Sequence, residues 1–410
     1  MSTLFTDPPE GDLAVPLQTE EPAGPATPPE EGPSTPEERG GRRLLGLLLA
    51  VLFVAAVGLL VLLYFLLRPR LGPEASEGPG GYPIRVQTII DGVDSEDRFV
   101  TPLGVAFDQD GNVWISDTGN GRVGVFAEDG DLVRVLGSEE GPGRMFAPYG
   151  IALDDERGRA YIADWGGGRV HIFSTTGAYI GEFPADDQHL GVFGPNGFSP
   201  YAVQVSGPRV FVTSNDGLYV FDDEGHVVER WGRKSRGGGL GMFNFPDALA
   251  VDPATGRTYV ADTMNRRIVA IDADGRWLWV SGTPDEASSI TGFWQLPRGV
   301  AVGPDGNLYI VDTFRFDEDG VGTGHIVVLS GDGELVSEFG RVGVADDELS
   351  FPEHIAVRPD GLFAIADREN NRVLLFRLDP LPLPDQKEAS TYEGSVVRPD
   401  DVWATPRPKA

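Results

Sequence analysis

Cysteine is absent from all 410 residues. Disulfide frameworks, thiolate metal sites and cysteine nucleophiles are therefore excluded. Lysine is nearly absent as well, appearing only at Lys234, Lys387 and Lys409, so arginine carries almost all of the positive charge. Acidic side chains outnumber basic ones 63 to 33, for a formal net charge of −30. Such a surface repels nucleic acid unless a basic patch is set into it. Within the acidic C-terminal part only Arg230, Arg233, Lys234 and Arg236 cluster, and no nucleic-acid partner is expected. No Ser–His–Asp order appears. The glycines of GGGRV and SRGGGLG read as turns, because a phosphate-binding loop needs a strand before it and a helix after it.

Residues 1–43 hold nine prolines, nine carboxylates and three arginines. A segment so poor in apolar surface cannot offset its ordering entropy and reads as a disordered tail. Leu44 to Leu67 then runs 24 residues without a charge, where about 20 suffice to cross a bilayer. A signal peptide would have a shorter apolar run near the N-terminus and a small-residue cleavage site, whereas Arg68-Pro69-Arg70 follows here. One transmembrane helix over 44–67 is expected. Arg39, Arg42 and Arg43 ahead of it favour a cytoplasmic N-terminus, a cell-membrane location and an extracytoplasmic C-terminal part. Residues 68–81 form a short Gly/Pro/Glu-rich linker, which at full extension reaches about 50 Å.

Between Tyr82 and Pro384 the sequence repeats itself, and repeats of this length decide the fold. A proline followed by apolar alternation recurs as PLGVAF at Pro102, PYGIAL at Pro148, PYAVQV at Pro200, PDALAV at Pro246, PRGVAV at Pro297 and PEHIAV at Pro352. Within each unit the period is two, broken by turns such as DQDGN and EDGD. This gives four short antiparallel strands and no helix. Six units of four strands describe a six-bladed β-propeller. The sixth unit lacks a fourth strand, since DPLPLPDQ follows VLLFRL and proline cannot join a ladder. YPIRVQTIIDG, from Tyr82, stands before the first unit without a blade of its own. Joined to the last blade it closes the ring and removes exposed edges. The chain is thus expected to be all-β over 82–384, a propeller of four-stranded antiparallel blades. The transmembrane helix and tail precede it, and a flexible tail occupies 385–410.

The pattern F-x-x-P-x-G-V-A-V-D, then Y-V-A-D-x-x-N-x-R-V, then G-x-x-x-x-x-F-G, resembles the NHL repeat. The resemblance covers all six units and implies a propeller of the membrane-anchored bacterial type. The first, second, fourth and sixth copies match well. The third has TSNDGL in place of the Asp–Arg pair, and the fifth has DTFRFDEDGVGTGHI. Asp117, Asp164, Asp262, Asp312 and Asp367 end second strands, while Arg122, Arg169, Arg267 and Arg372 begin third strands. An acid and a base at the same place in successive blades are read as fixing the strand connection.

The connections between blades, and between second and third strands, are long and differ from blade to blade. Alternation of strand direction puts them all on one face, where binding residues are expected. The residue after each proline begins an innermost strand at the channel mouth: Leu103, Tyr149, Tyr201, Asp247, Arg298 and Glu353, with His354 next to the last. This ring reads either as a recognition site for a polar group or peptide, or as a plug in which Arg298 pairs with Asp247 or Glu353. On the loops of the same face lie Trp165, Phe198, Phe243, Phe293, Trp294, Phe314 and Arg315. They read as buried anchors or as a partner surface for a protein or peptide.

Related propellers that are enzymes supply two comparisons. In the peptide-amidating lyase, metal-binding histidines follow the proline at this same rim position. None of the six equivalent positions here is histidine, and of His171, His189, His226, His325 and His354 only the last is near the channel. No catalytic residue, resident metal or organic cofactor is assigned. Gluconolactonase-like propellers use Glu, Asn and Asp around a divalent cation. Asp247 and Glu353 leave open a structural calcium ion in the channel. The expected function is a membrane-held binding scaffold for a protein, peptide or envelope polymer, the alternative being a metal-assisted hydrolase or lyase at the channel mouth.

Overall fold

Alternation of β-branched and small residues in the first unit produces β2 (Pro102–Phe107), β3 (Val113–Asp117), β4 (Arg122–Phe126) and β5 (Leu132–Leu136). They hydrogen-bond in sequence order as one blade. β3 and β4 are buried at every position, whereas β5 is exposed at Leu132 and Val133, buried only at Leu136, and forms the outer edge. The computed structural model describes residues 84–184, 198–233, 235–282, 294–313 and 326–378, and the backbone of 396–397. The expected tail 1–43, span 44–67 and linker 68–81 lie outside the described residues, as do Phe293, Phe314 and Arg315. Among the described residues no helix is long and apolar enough to cross a membrane.

The pattern repeats. Blade two is β6 (Pro148–Asp154), β7 (Arg159–Asp164), β8 (Arg169–Ser174) and β9 (Tyr179–Phe183). Blade three is β10 (Val203–Ser206), β11 (Arg209–Ser214), β12 (Gly217–Phe221) and β13 (Val227–Trp231). Blade four comprises β14 (Pro246–Val251), β15 (Thr258–Asp262), β16 (Arg267–Ile271) and β17 (Trp277–Ser281). Blade five comprises β18 (Pro297–Val302), β19 (Leu308–Asp312), β20 (Ile326–Leu329) and β21 (Leu335–Phe339). Blade six has β22 (Pro352–Val357), β23 (Leu362–Asp367) and β24 (Arg372–Arg377), and its fourth strand is the N-terminal β1 (Arg85–Ile90), antiparallel to β24. The unpaired strand before the first repeat therefore does close the ring.

Six apolar clusters hold the ring together, one at each junction between neighbouring blades. Between blades four and five, for example, Ala248, Tyr259 and Trp279 meet Val300, Ile310 and Val327. Between blades six and one, where the chain closes on itself, Leu362, Val373 and Leu375 meet Val105, Ile115 and Phe126. No junction lacks such a cluster, so burial of apolar area stabilises every contact between blades. One part of the C-terminal tail departs from the expected flexible segment. Val396–Val397 form a short strand, β25, on the outer edge of β17, which makes blade four five-stranded.

The Asp positions are staples on the long-connection face. Asp117 accepts the Val100 N–H through one oxygen, and Asn120 Nδ2 and Arg122 Nε through the other. Asp262 and Asp367 repeat the arrangement with Asn244, Asn265 and Arg267, and with Ser350, Asn370 and Arg372. Each carboxylate thus ties the segment entering a blade to the turn between its second and third strands. Blade two is different. Asp164 still accepts the Ala147 N–H, but Arg169 pairs with Glu182 on β9, and His171 takes the place beside the carboxylate.

A second tie was not foreseen from the sequence. The threonine after the staple Asp reaches across to the next blade: Thr118 Oγ1 donates to the Pro148 carbonyl, Thr263 to Pro297 and Thr313 to Pro352. These are the prolines that open the inner strands, so the Asp-Thr dipeptide locks blade to blade beside the channel.

Candidate functional site

Proline starts the inner strand in every blade but the third, where the strand begins at Val203, because an edge strand can dispense with its N–H. In five blades the register slips immediately afterwards, between Pro102 and Val105, Pro148 and Ile151, Pro246 and Ala248, Pro297 and Gly299, and Pro352 and Ile355. Bulges of this kind re-aim side chains. Here they affect Leu103, Tyr149, Asp247, Arg298 and Glu353, the residues placed at the mouth by the repeat register.

Four of these residues meet across the channel. Arg298 Nη1 lies 3.1 Å from Asp247 Oδ2 and 3.2 Å from Glu353 Oε2. The Tyr149 hydroxyl, from blade two, donates to Glu353 Oε2 at 3.2 Å and lies 3.5 Å from Arg298 Nη1. Arg368 Nη1 bonds the other Glu353 oxygen at 2.7 Å. Arg368 was missed in the sequence. It stands directly after Asp367, at the position where three other blades have the tying threonine, and that departure from the repeat was the available signal. Two other blades also depart there. Trp165 lies beside Tyr201, with ring centroids 6.5 Å apart, and Asn215 Oδ1 accepts from the Tyr201 hydroxyl at 2.9 Å. Tyr201 also meets Tyr149 edge-on at 5.7 Å.

Burial sets the protonation of this network. Asp247 is 4% exposed and its carboxyl is pushed up to about 7, chiefly by desolvation, with Arg298 opposing and Glu353 reinforcing the shift. Desolvation, followed by the charges of Glu353 and Asp247, also holds the Tyr149 phenol protonated far above neutrality. Tyr201 is raised to about 12 by burial and by Asp247. The Arg298 guanidinium stays charged, since Tyr149, Glu353 and Asp247 together outweigh its desolvation. His354 points away from this network and is buried near the Val105 backbone, with its imidazole lowered to about 4 by desolvation and its Nδ1 unpartnered.

Every carboxylate at the mouth therefore already has a guanidinium partner. Asp247 and Glu353, whose oxygens are the donors a calcium ion would use, are bonded to Arg298, and a divalent cation placed between them would have to displace it. The donor set does not fit such an ion. Among the described residues there is no group of three or more His, Asp or Glu arranged to hold a metal.

The loop aromatics divide into two sets. Phe243 and Trp294 do not form a partner surface, because both are buried at the ends of outer strands. A Cβ on Gly232, after β13, would lie 2.8 Å from the Phe243 ring, and one on Gly282, after β17, 2.9 Å from Trp294. The glycines leave seats into which the returning loops insert their rings, and Trp294 Nε1 also donates to Ser281 Oγ. Phe198 is buried in the junction of blades two and three. Trp165 is 48% exposed and Phe146, on the adjoining segment entering blade two, 63%. The Trp165 N–H bonds the Ala147 carbonyl, which holds the two segments together. Val100, Met264, Val342 and Val344 are further exposed apolar side chains on connections of this face.

Comparison with known proteins agrees with this architecture. A sequence profile of the NHL repeat matches residues 99–126, which include β2, β3 and β4. NHL repeat-containing protein 3 of Mus musculus is 31% identical over 137 residues, 30% of this chain and 37% of that protein. Its counterpart in Homo sapiens is 31% identical over 139 residues, with the same shares. The match thus spans little more than a third of the length of these relatives. A solved structure from Bacteroides thetaiotaomicron, a protein of unknown function, superimposes with a TM-score of 0.51 at 19% identity, over 72% of this chain and 76% of its own. That likeness is one of fold.

Proposed function

Because the chain is a six-bladed β-propeller built of NHL repeats, we propose that it is a recognition module that binds a protein or peptide segment on its long-connection face. The observation carrying this reading is the pair of exposed rings Phe146 and Trp165 in blade two, beside Tyr201 at the channel mouth. Exposed aromatic rings on a rigid scaffold are the usual anchors of protein interfaces. The Arg298 and Arg368 side chains, 24% and 28% exposed, border this surface and suit a carboxylate or backbone carbonyl of the bound segment. The apolar run 44–67 supports a single-pass anchor in the cell membrane, and the arginines before it support display of the propeller outside the cytoplasm.

One observation favours a hydrolytic or lyase reading instead. Asp247 titrates near 7, where a general acid or base is most effective. Its side chain is nevertheless enclosed, and Arg298 lies between it and Glu353. Crosslinking in the native membrane separates the two readings. Full-length wild type and a Phe146→Ala, Trp165→Ala double variant would be compared for co-purifying proteins. A defined partner recovered with wild type and lost with the variant supports the recognition module. Equal recovery with both forms, or no specific partner, would refute it.

A further inference from the structure

Each blade ends in an outer strand, whose far edge turns backbone N–H and C=O groups away from its own blade. Proteins protect such edges with charged side chains. Five of the six outer strands here carry at least one: Arg85 in β1, Arg134 in β5, Glu182 in β9, Glu229 and Arg230 in β13, and Glu338 in β21. β17 reads Trp-Leu-Trp-Val-Ser and carries none. It is also the outer strand on which, among the described residues, a fifth strand lies. β25 runs antiparallel to it, with Val397 opposite Val280 and Val396 opposite Ser281.

We propose that the outer edge of blade four is a strand-docking site, occupied in cis by the chain's own C-terminal segment around Val396–Val397. The charge pattern shows which edge needs covering, and the pairing shows what covers it. The sequence of the segment fits the role. Two β-branched residues suited to a ladder follow Gly394-Ser395 and are followed by Arg398-Pro399. Proline donates no hydrogen bond, so the pairing ends there. The chain between β24 and β25, extended, covers about 60 Å, enough to pass blade five and reach blade four.

β25 opposes only Val280 and Ser281, leaving the edge at Trp277 and Leu278 without a partner in this ladder. A two-residue pairing is weak by itself. It depends on the tether, which holds the segment near its site at an effective concentration on the order of millimolar. The docked segment is therefore exchangeable, and its departure exposes the one outer edge that has no charge to deter another strand.

The test is hydrogen exchange on the full-length protein, following amides of 277–281. A Val396→Pro, Val397→Pro double variant removes the N–H donors of the segment and changes no residue of β1 to β24. Exchange is expected to rise at least about tenfold at the one of Val280 and Ser281 whose N–H faces β25, the other facing β16; tenfold is the factor a lost ladder partner gives when local opening costs about 1.4 kcal/mol less. A synthetic peptide of sequence EGSVVRPD, residues 393–400, added at millimolar concentration should restore the slower rate. An unchanged rate in the variant, or a fast rate that the peptide does not slow, would overturn the docking site. Protection in the wild type that weakens on dilution would overturn the cis assignment, because the strand would then come from a second copy.

Discussion

Asp262→Ala distinguishes a buried structural staple from a dispensable ion pair. Asp262 and Arg267 are both fully buried. The carboxylate accepts from Asn244 N at 2.8 Å, Asn265 Nδ2 at 2.8 Å and Arg267 Nε at 2.7 Å. Without it the guanidinium keeps the carbonyls of Gly238, Gly239 and Met242 and the face of the Trp277 ring, and its charge is left without a counterion. Breaking a buried pair in this way costs about 3–5 kcal/mol. At about 2–4 °C per kcal/mol for a large domain, the melting temperature should fall by roughly 10 °C. Asp164→Ala is the matched control, because the sequence gives it the same Asp-to-Arg spacing while Arg169 has turned to Glu182. That variant strands no buried guanidinium. It forfeits the acceptor of the Phe146 and Ala147 N–H groups and the partner of the His171 ring, a loss of hydrogen bonds worth about 1–3 kcal/mol. Thermal unfolding at pH 7, followed by near-ultraviolet circular dichroism, measures both. Equal losses, or a loss below about 1 kcal/mol for Asp262→Ala, would refute the argument from the uncompensated charge.

Asp247 makes stability depend on pH. Its folded pKa of about 7 lies above its ordinary value of 3.8, so the proton it holds stabilises the fold fully below about pH 4, and this contribution is lost as pH rises through 7. The full effect is about 4 kcal/mol. In Asp247→Asn the stability measured by urea unfolding from pH 4.5 to 7.5 should lose most of that slope, and an unchanged slope would rule out Asp247 as its source. Thr263→Val leaves the Pro297 carbonyl without its 2.6 Å partner and should cost about 1–3 kcal/mol. Thr255→Val, at an exposed turn, should cost less than about 0.5 kcal/mol. A similar loss in both would show that the link between blades contributes nothing.

The architecture was legible because it is written six times. Period-two strands, turn signals and an orphan first strand leave one way to close the ring. The staple Asp residues were legible for the same reason, since each falls at the same register. What one blade does differently was not. Arg169 leaves Asp164 for Glu182 across the strand pair, a choice that depends on three-dimensional neighbours. Arg368 belongs to the mouth because it replaces a threonine whose tying role shows only in space. The repeat placed Tyr149, Asp247, Arg298 and Glu353 at one rim, but the bulges after the prolines determine that they meet. Burial of Phe243 and Trp294 depends on glycine seats contributed by other strands. Two valines in a polar tail gave no period from which a strand on blade four could be read.

The closing of blade six by β1 also bears on how the chain is made. β1 is among the first parts of the domain to leave the ribosome, and its partner β24 is among the last. Blades one to five can pair internally as they emerge, because their ladders are local, but β1 must wait through the synthesis of all of them. Pairing across such a sequence separation is slow, and an idle strand invites wrong partners in the interval. Arg85, at the start of β1, keeps a charge on that strand while it waits. The last step of folding is then the joining of the two ends of the domain, and until it occurs the junction of blades six and one cannot form.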